Sequence, residues 1–305
     1  MSELLSSVGR IAVLVFIMSS MLMVGVSYTV REIVGPLRHV GGVLKALLAN
    51  FVLVPALALL VVWLLSLPSS YGIGLFLVAC GAGAAFLIKL TSVSEGDLGL
   101  AATLLILLMP ATALYMPFVL PLVLPEATIS PWAIGAPLIW TLLLPLAAGV
   151  VVRAIWPTIA GRVRPVLKHT STVALVVLVL ALILANLSGI ADMFGSGAIL
   201  AALMIVAGAF VMGYLLGGPR GKVRKVIGFA TAQRNYGAAM VVASQVLEDD
   251  LALLMVVVTS VVGMALLFPI AWYLKEEHRS RPSNAREVQE YPDPSEAHYG
   301  TESYS

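Results

Sequence analysis

What this 305-residue chain most lacks is charge: Asp, Glu, Lys and Arg together make up 11% of it, against about 25% in an average soluble domain. Cysteine is limited to Cys80, which excludes an internal disulfide and a cysteine-held metal cluster. The four histidines, His39, His169, His278 and His298, show no paired spacing, so neither a metal centre nor a cofactor is expected. Every His, Asp and Glu falls in a loop, near the end of an apolar stretch or in the C-terminal segment, so no general base lies within the membrane and an enzyme is not expected. A net charge of +2 is too small to recruit polyanions, which removes nucleic acid as a partner.

What is present is apolar. Hydrophobic residues make up 60% of the chain and the mean hydropathy is +1.01. Apolar stretches recur at about the 20 residues a helix needs to cross a bilayer. The expected fold class is an all-α polytopic membrane protein with nine transmembrane helices, over residues 8–28, 42–66, 71–92, 98–124, 131–153, 167–189, 196–217, 224–246 and 250–274. Ile11 to Val26 reads as a retained span rather than a signal peptide, because Glu3 offsets the lone Arg10 and no small-residue cleavage site follows. A transmembrane domain thus covers 1–275. Residues 276–305, rich in Glu and broken by Pro282, Pro292 and Pro294, read as a disordered cytoplasmic tail.

Cations set the orientation. Arg31, Arg38 and Lys45 flank the first loop, Arg153, Arg162, Arg164 and Lys168 the fifth, and Arg220, Lys222, Arg224 and Lys225 the seventh; Lys275, Arg279, Arg281 and Arg286 open the tail. With nine spans all of these fall on one side, which the positive-inside rule makes cytoplasmic. The N-terminus is then outside and the C-terminus inside, in a plasma or inner cell membrane. The bilayer is the expected large partner, with the basic clusters against anionic headgroups.

Only Lys89 and Arg234 place a cation inside a span, and they fall in spans three and eight. A mid-membrane arginine costs at least about 2.5–3.5 kcal/mol unless it is paired or faces a cavity. Spans 1–4 (8–124) and spans 6–9 (167–274) form two groups of inverted topology, linked by the span at 131–153. Their third members also hold helix-weakening residues: Gly81 and Gly83 in one, Asn235 and Gly237 in the other. Interrupted segments at matching places in inverted repeats point to a transporter's midplane site. Arg234 either takes a substrate anion bidentately or stands as a fixed positive charge. Lys89 either joins it or snorkels to the near surface. Asn235 and Asn50 carry amides that need partners in an apolar setting. Gln233 and Tyr236 flank the second break.

Val78-Ala79-Cys80-Gly81-Ala82-Gly83, the Glu95-Gly96-Asp97 turn, Asn50 five residues before Pro55, Pro117, and Ala232-Gln233-Arg234-Asn235-Tyr236-Gly237-Ala238-Ala239 together resemble the bile acid:sodium symporter family over about residues 8–275. The resemblance implies a panel domain and a core domain, two crossing helices with unwound centres, and a small or amphipathic organic anion as substrate. It also implies sodium sites whose residues are changed here. The family's acid, and the Gln-Asn that follows after three residues, read Ala230, Arg234 and Asn235. Its Ser-Asn pair falls at Leu87-Ile88, its hydroxyl pair at Ala101 and Leu105, and its supporting Gln at Asn50. Weak or absent sodium dependence is therefore expected, with Arg234 and Lys89 supplying the ion's charge. An ordinary sodium-coupled symporter, a metalloid oxyanion efflux carrier using Cys80, and a non-transporting receptor stand as alternatives. The sequence leaves the oligomeric state open.

Overall fold

Long runs of Leu, Val, Ala and Ile that must satisfy their own backbone in lipid have one economical solution, the helix. The computed structural model describes residues 2–27, 40–84, 86–123, 130–185, 192–193 and 195–280, and among these it is all-helical apart from one isolated bridge. The helices are α1 (Ser2–Ser27), α2 (40–64), α3 (Ser69–Cys80), α4 (Phe86–Val93), α5 (Leu98–Val123), α6 (131–155), α7 (Pro157–Ala185), α8 (Ala198–Leu216), α9 (Gly221–Ala232), α10 (236–246) and α11 (Asp250–Ser280). Seven of them, α1, α2, α5, α6, α7, α8 and α11, are long and apolar enough to cross a membrane alone. The other four are short, and each pair is separated by a few non-helical residues: α3 from α4, and α9 from α10.

Two boundaries differ from expectation. The basic stretch after the fifth apolar run is not a loop: α6 ends at Ile155, only Trp156 intervenes, and α7 begins at Pro157. Proline suits a first helical position because its φ is already set and its missing N–H would have no intrahelical partner. At the other end α11 runs to Ser280, so the first five residues assigned to the tail are helical. Residues 281–305, and Arg31 and Arg38 of the first basic loop, lie outside the described residues.

The helices pack as two groups. In the first, α1 packs chiefly against α7 and α6. It meets α6 at a glycine pair, where a Cβ on Gly25 would lie 2.8 Å from the Cα of Gly149, and a Cβ on Gly149 2.8 Å from the Cα of Gly25. Small residues at such a seam let two backbones meet, which is how helices gain packing energy where lipid removes the hydrophobic drive. In the second group α8 packs on α9, α11 and α2, while α3 packs on α11 and α2. α5 and α10 both meet α6 across the two groups, α10 also meets α1, and α7 touches α11. The surface inverts that of a soluble protein. Trp63, Phe118, Leu122 and Trp140 are exposed, whereas Asn50, Thr112, Thr231, Arg234 and Asn235 are buried.

Candidate functional site at the helix crossing

Glycine opens the first break. Gly81 follows the last residue of α3, and a Cβ there would stand 2.8 Å from the carbonyl oxygen of Asn235. Gly83 has φ +78°, and its Cβ would stand 2.7 Å from the amide nitrogen of Met109. Both positions therefore demand glycine, one for a close backbone approach and one for a left-handed turn. The second break, Gln233-Arg234-Asn235, crosses the first: Ala82 and Arg234 form an antiparallel bridge, and the Asn235 N–H donates to the Gly81 carbonyl at 3.1 Å. Unwound backbone is tolerated at membrane depth only where something satisfies it. Thr112 on α5 supplies part of that, its hydroxyl accepting from the Ala82 N–H at 2.8 Å and donating to the Ala82 carbonyl at 2.9 Å.

Arg234 supplies the rest. Its side chain is 1% exposed. Nε donates to the Val78 carbonyl at 3.2 Å; Nη1 donates to the Asn50 Oδ1 and to the Thr231 carbonyl at 3.0 Å; Nη2 donates to the Asn50 carbonyl at 3.3 Å and to the Ala79 carbonyl. A guanidinium has five N–H donors, and five protein oxygens engage them. Val78 and Ala79 belong to the last turn of α3, and Thr231 to the last turn of α9. Each helix end carries roughly −0.5 elementary charge. One fixed cation thus faces two converging negative ends whose sum is about −1. Asn50 sits in a π-helical turn of α2, Ala49–Leu53, which shifts the local hydrogen-bond pattern. Its own Nδ2 donates to the Ala46 carbonyl at 2.8 Å. Next to it, the Tyr115 hydroxyl donates to the Phe51 carbonyl at 2.6 Å.

Asn235 faces the opposite helix ends. It caps α10, its Oδ1 accepting from the Ala238 N–H at 3.1 Å, while its Nδ2 has no hydrogen-bond partner and the residue is 2% exposed. The amide lies beside α1: a Cβ on Gly237 would be 3.3 Å from the Asn235 Oδ1 and 3.4 Å from Ile17 of α1. Gly237 is thus not a break residue. It lies inside the first turn of α10, where it keeps the helix start close to α1.

Other expected site residues separate. Lys89 is exposed, with its ammonium 5.6 Å from the centre of the Phe268 ring, and is not brought to Arg234. Gln233 ends α9 and is buried, its backbone N–H donating to the Phe229 carbonyl at 2.8 Å. The Tyr236 hydroxyl lies against Gly263 of α11, in contact with the space a Cβ there would fill. Cys80 is fully buried at the end of α3.

Two polar residues were missed by sequence reasoning. Thr112 had one available signal, a hydroxyl two residues after Pro110 in a run with few polar side chains. Lys225, counted among surface cations, is buried, and its Nζ donates to the carbonyls of Ser94 and Leu274, both at 2.8 Å.

Comparison with known proteins follows from this geometry. The description of the sodium bile acid symporter family matches residues 12–193, more than half of the chain. The probable sodium/metabolite cotransporter BASS5, chloroplastic, of Arabidopsis thaliana is 22% identical over 264 residues, 81% of this chain and 65% of the relative. BASS6, chloroplastic, from the same plant, also described as a probable sodium/metabolite cotransporter, is 23% identical over 264 residues, 81% and 64% respectively. The BASS5 protein of Oryza sativa subsp. japonica is 22% identical over 273 residues, 81% and 66%. The chain therefore spans about 65% of the length of the curated relatives it matches. Arg234 and Asn235 lie beyond the segment that the family description covers.

Proposed function

We propose, from the premise that this chain belongs to the sodium bile acid symporter family, that it is a secondary transporter of a small or amphipathic organic anion and that it runs without a sodium ion at the crossing. The observation that carries the second part is the saturation of Arg234. Its five donors meet five oxygens contributed by α2 and by the C-terminal turns of α3 and α9. Oxygens converging in this way are what a hard cation would need. Here a covalently attached cation holds them, and no separate ion has to bind or leave.

The same saturation argues against Arg234 as the substrate's ligand. The anion instead meets the positive end of α10, where the unpartnered Asn235 Nδ2 lies beside α1. α1, α6 and α7 form one body and the remaining helices the other, and rocking between them exposes the crossing alternately. In this reading each interrupted pair counts as one span, giving nine spans in two inverted repeats around α6. The basic ends face the cytoplasm of a plasma or inner membrane. Lys89, exposed and away from Arg234, takes no part in charge replacement. The relatives' printed names favour the competing reading of ordinary sodium coupling.

A sodium titration of the thermal midpoint of the detergent-purified protein separates the two, with potassium and choline at equal ionic strength as controls. The expected result is no sodium-specific shift in the wild type and a saturable one in the Arg234→Gln, Ala230→Glu double variant. Saturable sodium stabilisation of the wild type would overturn sodium independence and restore symport.

A further inference from the structure

The outer surface of α1 and α7 carries a groove that shares no residue with the crossing. Its volume is about 470 Å³, and its walls include Val8 and Val15 on α1 and Val173 and Val177 on α7, with His169 and Thr170 the polar residues on its lining. We propose that this groove binds an anionic phospholipid, with an acyl chain along the valines and the headgroup at Arg162 and His169.

Periodicity joins the two halves of this site. Arg162, Val166, His169, Val173 and Val177 recur at spacings of four, three, four and four, so they share one face of α7, and all five are exposed. Depth fits as well. α1 and α7 are antiparallel neighbours in this reading, with Gly9 against Ala181, where a Cβ on Gly9 would lie 4.0 Å from the Ala181 Cβ. At 1.5 Å rise per residue, Arg162 then lies level with a point just past the end of α1, and His169 with about residue 21. The apolar walls lie wholly to one side of these two residues.

The chemistry selects the occupant. A hydrated substrate gains nothing from valine walls, whereas an acyl chain does. The cation at the far end, Arg10, is already paired with Glu248 at 3.8 Å, whereas Arg162 has no carboxylate within ion-pair distance among the described residues. A phosphodiester supplies that partner, as it does for basic sites between transmembrane helices generally. A neutral headgroup would leave the guanidinium uncompensated.

The test titrates the detergent-purified full chain with phosphatidylglycerol and with phosphatidylcholine of the same acyl chains, reading thermal midpoint and molecular mass. Phosphatidylglycerol is expected to give the larger, saturable shift. Arg162→Gln should lower its apparent affinity about fivefold, the contribution of one basic residue near an anionic surface. Val173→Trp, which fills the groove, should remove the shift. Equal shifts with the two lipids, or an unchanged phosphatidylglycerol affinity in Arg162→Gln, would overturn the proposal. So would a dimer that Val173→Trp converts to monomer, since a second copy of the chain would then be the occupant.

Discussion

Replacing Arg234 by Lys keeps the charge at the crossing but cuts the donors from five to three, and all three then radiate from one nitrogen. Two of the five oxygens now facing the guanidinium must lose their partner. An unsatisfied buried acceptor costs about 1–3 kcal/mol, so the lysine variant should lose roughly 2–6 kcal/mol. The Val78 carbonyl cushions the low end of this range, because it also accepts from the Gly81 N–H at 3.1 Å. Arg234→Gln goes further. It offers two donors and no charge, leaving the C-terminal ends of α3 and α9 opposed without compensation. Three of the five oxygens then lose their donor, which at about 1–3 kcal/mol each comes to roughly 3–9 kcal/mol before the lost charge is counted. At about 2–4 °C per kcal/mol for chains near this size, the ordering should be wild type, then Lys, then Gln, with steps of several degrees. Thermal unfolding followed by tryptophan fluorescence in sodium-free buffer measures it. A lysine variant within about 2 °C of wild type, or a glutamine variant more stable than the lysine one, would refute the role given to the five-oxygen cluster.

Thr112→Val should strand both the N–H and the carbonyl of Ala82 and lower stability by about 2–6 kcal/mol, while Thr112→Ser retains the bond pair; limited proteolysis and thermal midpoint distinguish them. Gly149→Leu should force α6 off α1 and abolish monodisperse protein on size-exclusion chromatography, because no Cβ fits at 2.8 Å from Gly25. The control, Gly161→Ala, meets nothing within 4 Å and should behave as wild type. Lys89→Ala should change stability by no more than about 1 kcal/mol, the scale of one exposed contact between a cation and a ring, and leave the sodium response as it was; altered sodium dependence in that variant would return Lys89 to the site.

The helical class and the crossing were legible because lipid leaves few choices. Arg234 announced itself as a charge inside a run that otherwise repels charge, and Gly81 and Gly83 marked the unwinding beside it. Asn50, more than 180 positions away, could be suspected only because its amide had no local reason to sit in an apolar helix. The acceptors could not be read at all. Three of the side chains behind the carbonyls around Arg234 belong to Val78, Ala79 and Thr231, and a carbonyl leaves no mark on its side chain. Lys89 and Lys225 show the same limit from the other direction. The first sits near the end of an apolar run and is exposed, whereas the second sits in a basic cluster and is buried. Hydropathy reports how far along a segment a charge lies, not which way the segment turns it. The helical continuation from Trp156 into α7 was hidden for a related reason: four cations and two prolines look like a loop, yet Pro157 at a first turn favours a helix.

The clamp at the crossing also constrains how the protein is made. Val78 and its guanidinium partner are 156 residues apart in the chain. At about 5–20 residues per second, a ribosome delivers Arg234 roughly 8–30 s after Val78. Throughout that interval the carbonyls of Val78 and Ala79 wait for the guanidinium that will engage them, in a medium that offers no water in its place. Either residues 81–84 stay helical until the C-terminal part of the chain arrives and unwind only on docking, or the insertion machinery shelters them. In both cases the two halves mature together. A chain truncated before residue 234 should be retained by quality control as an unfinished membrane protein rather than accumulate as a stable half.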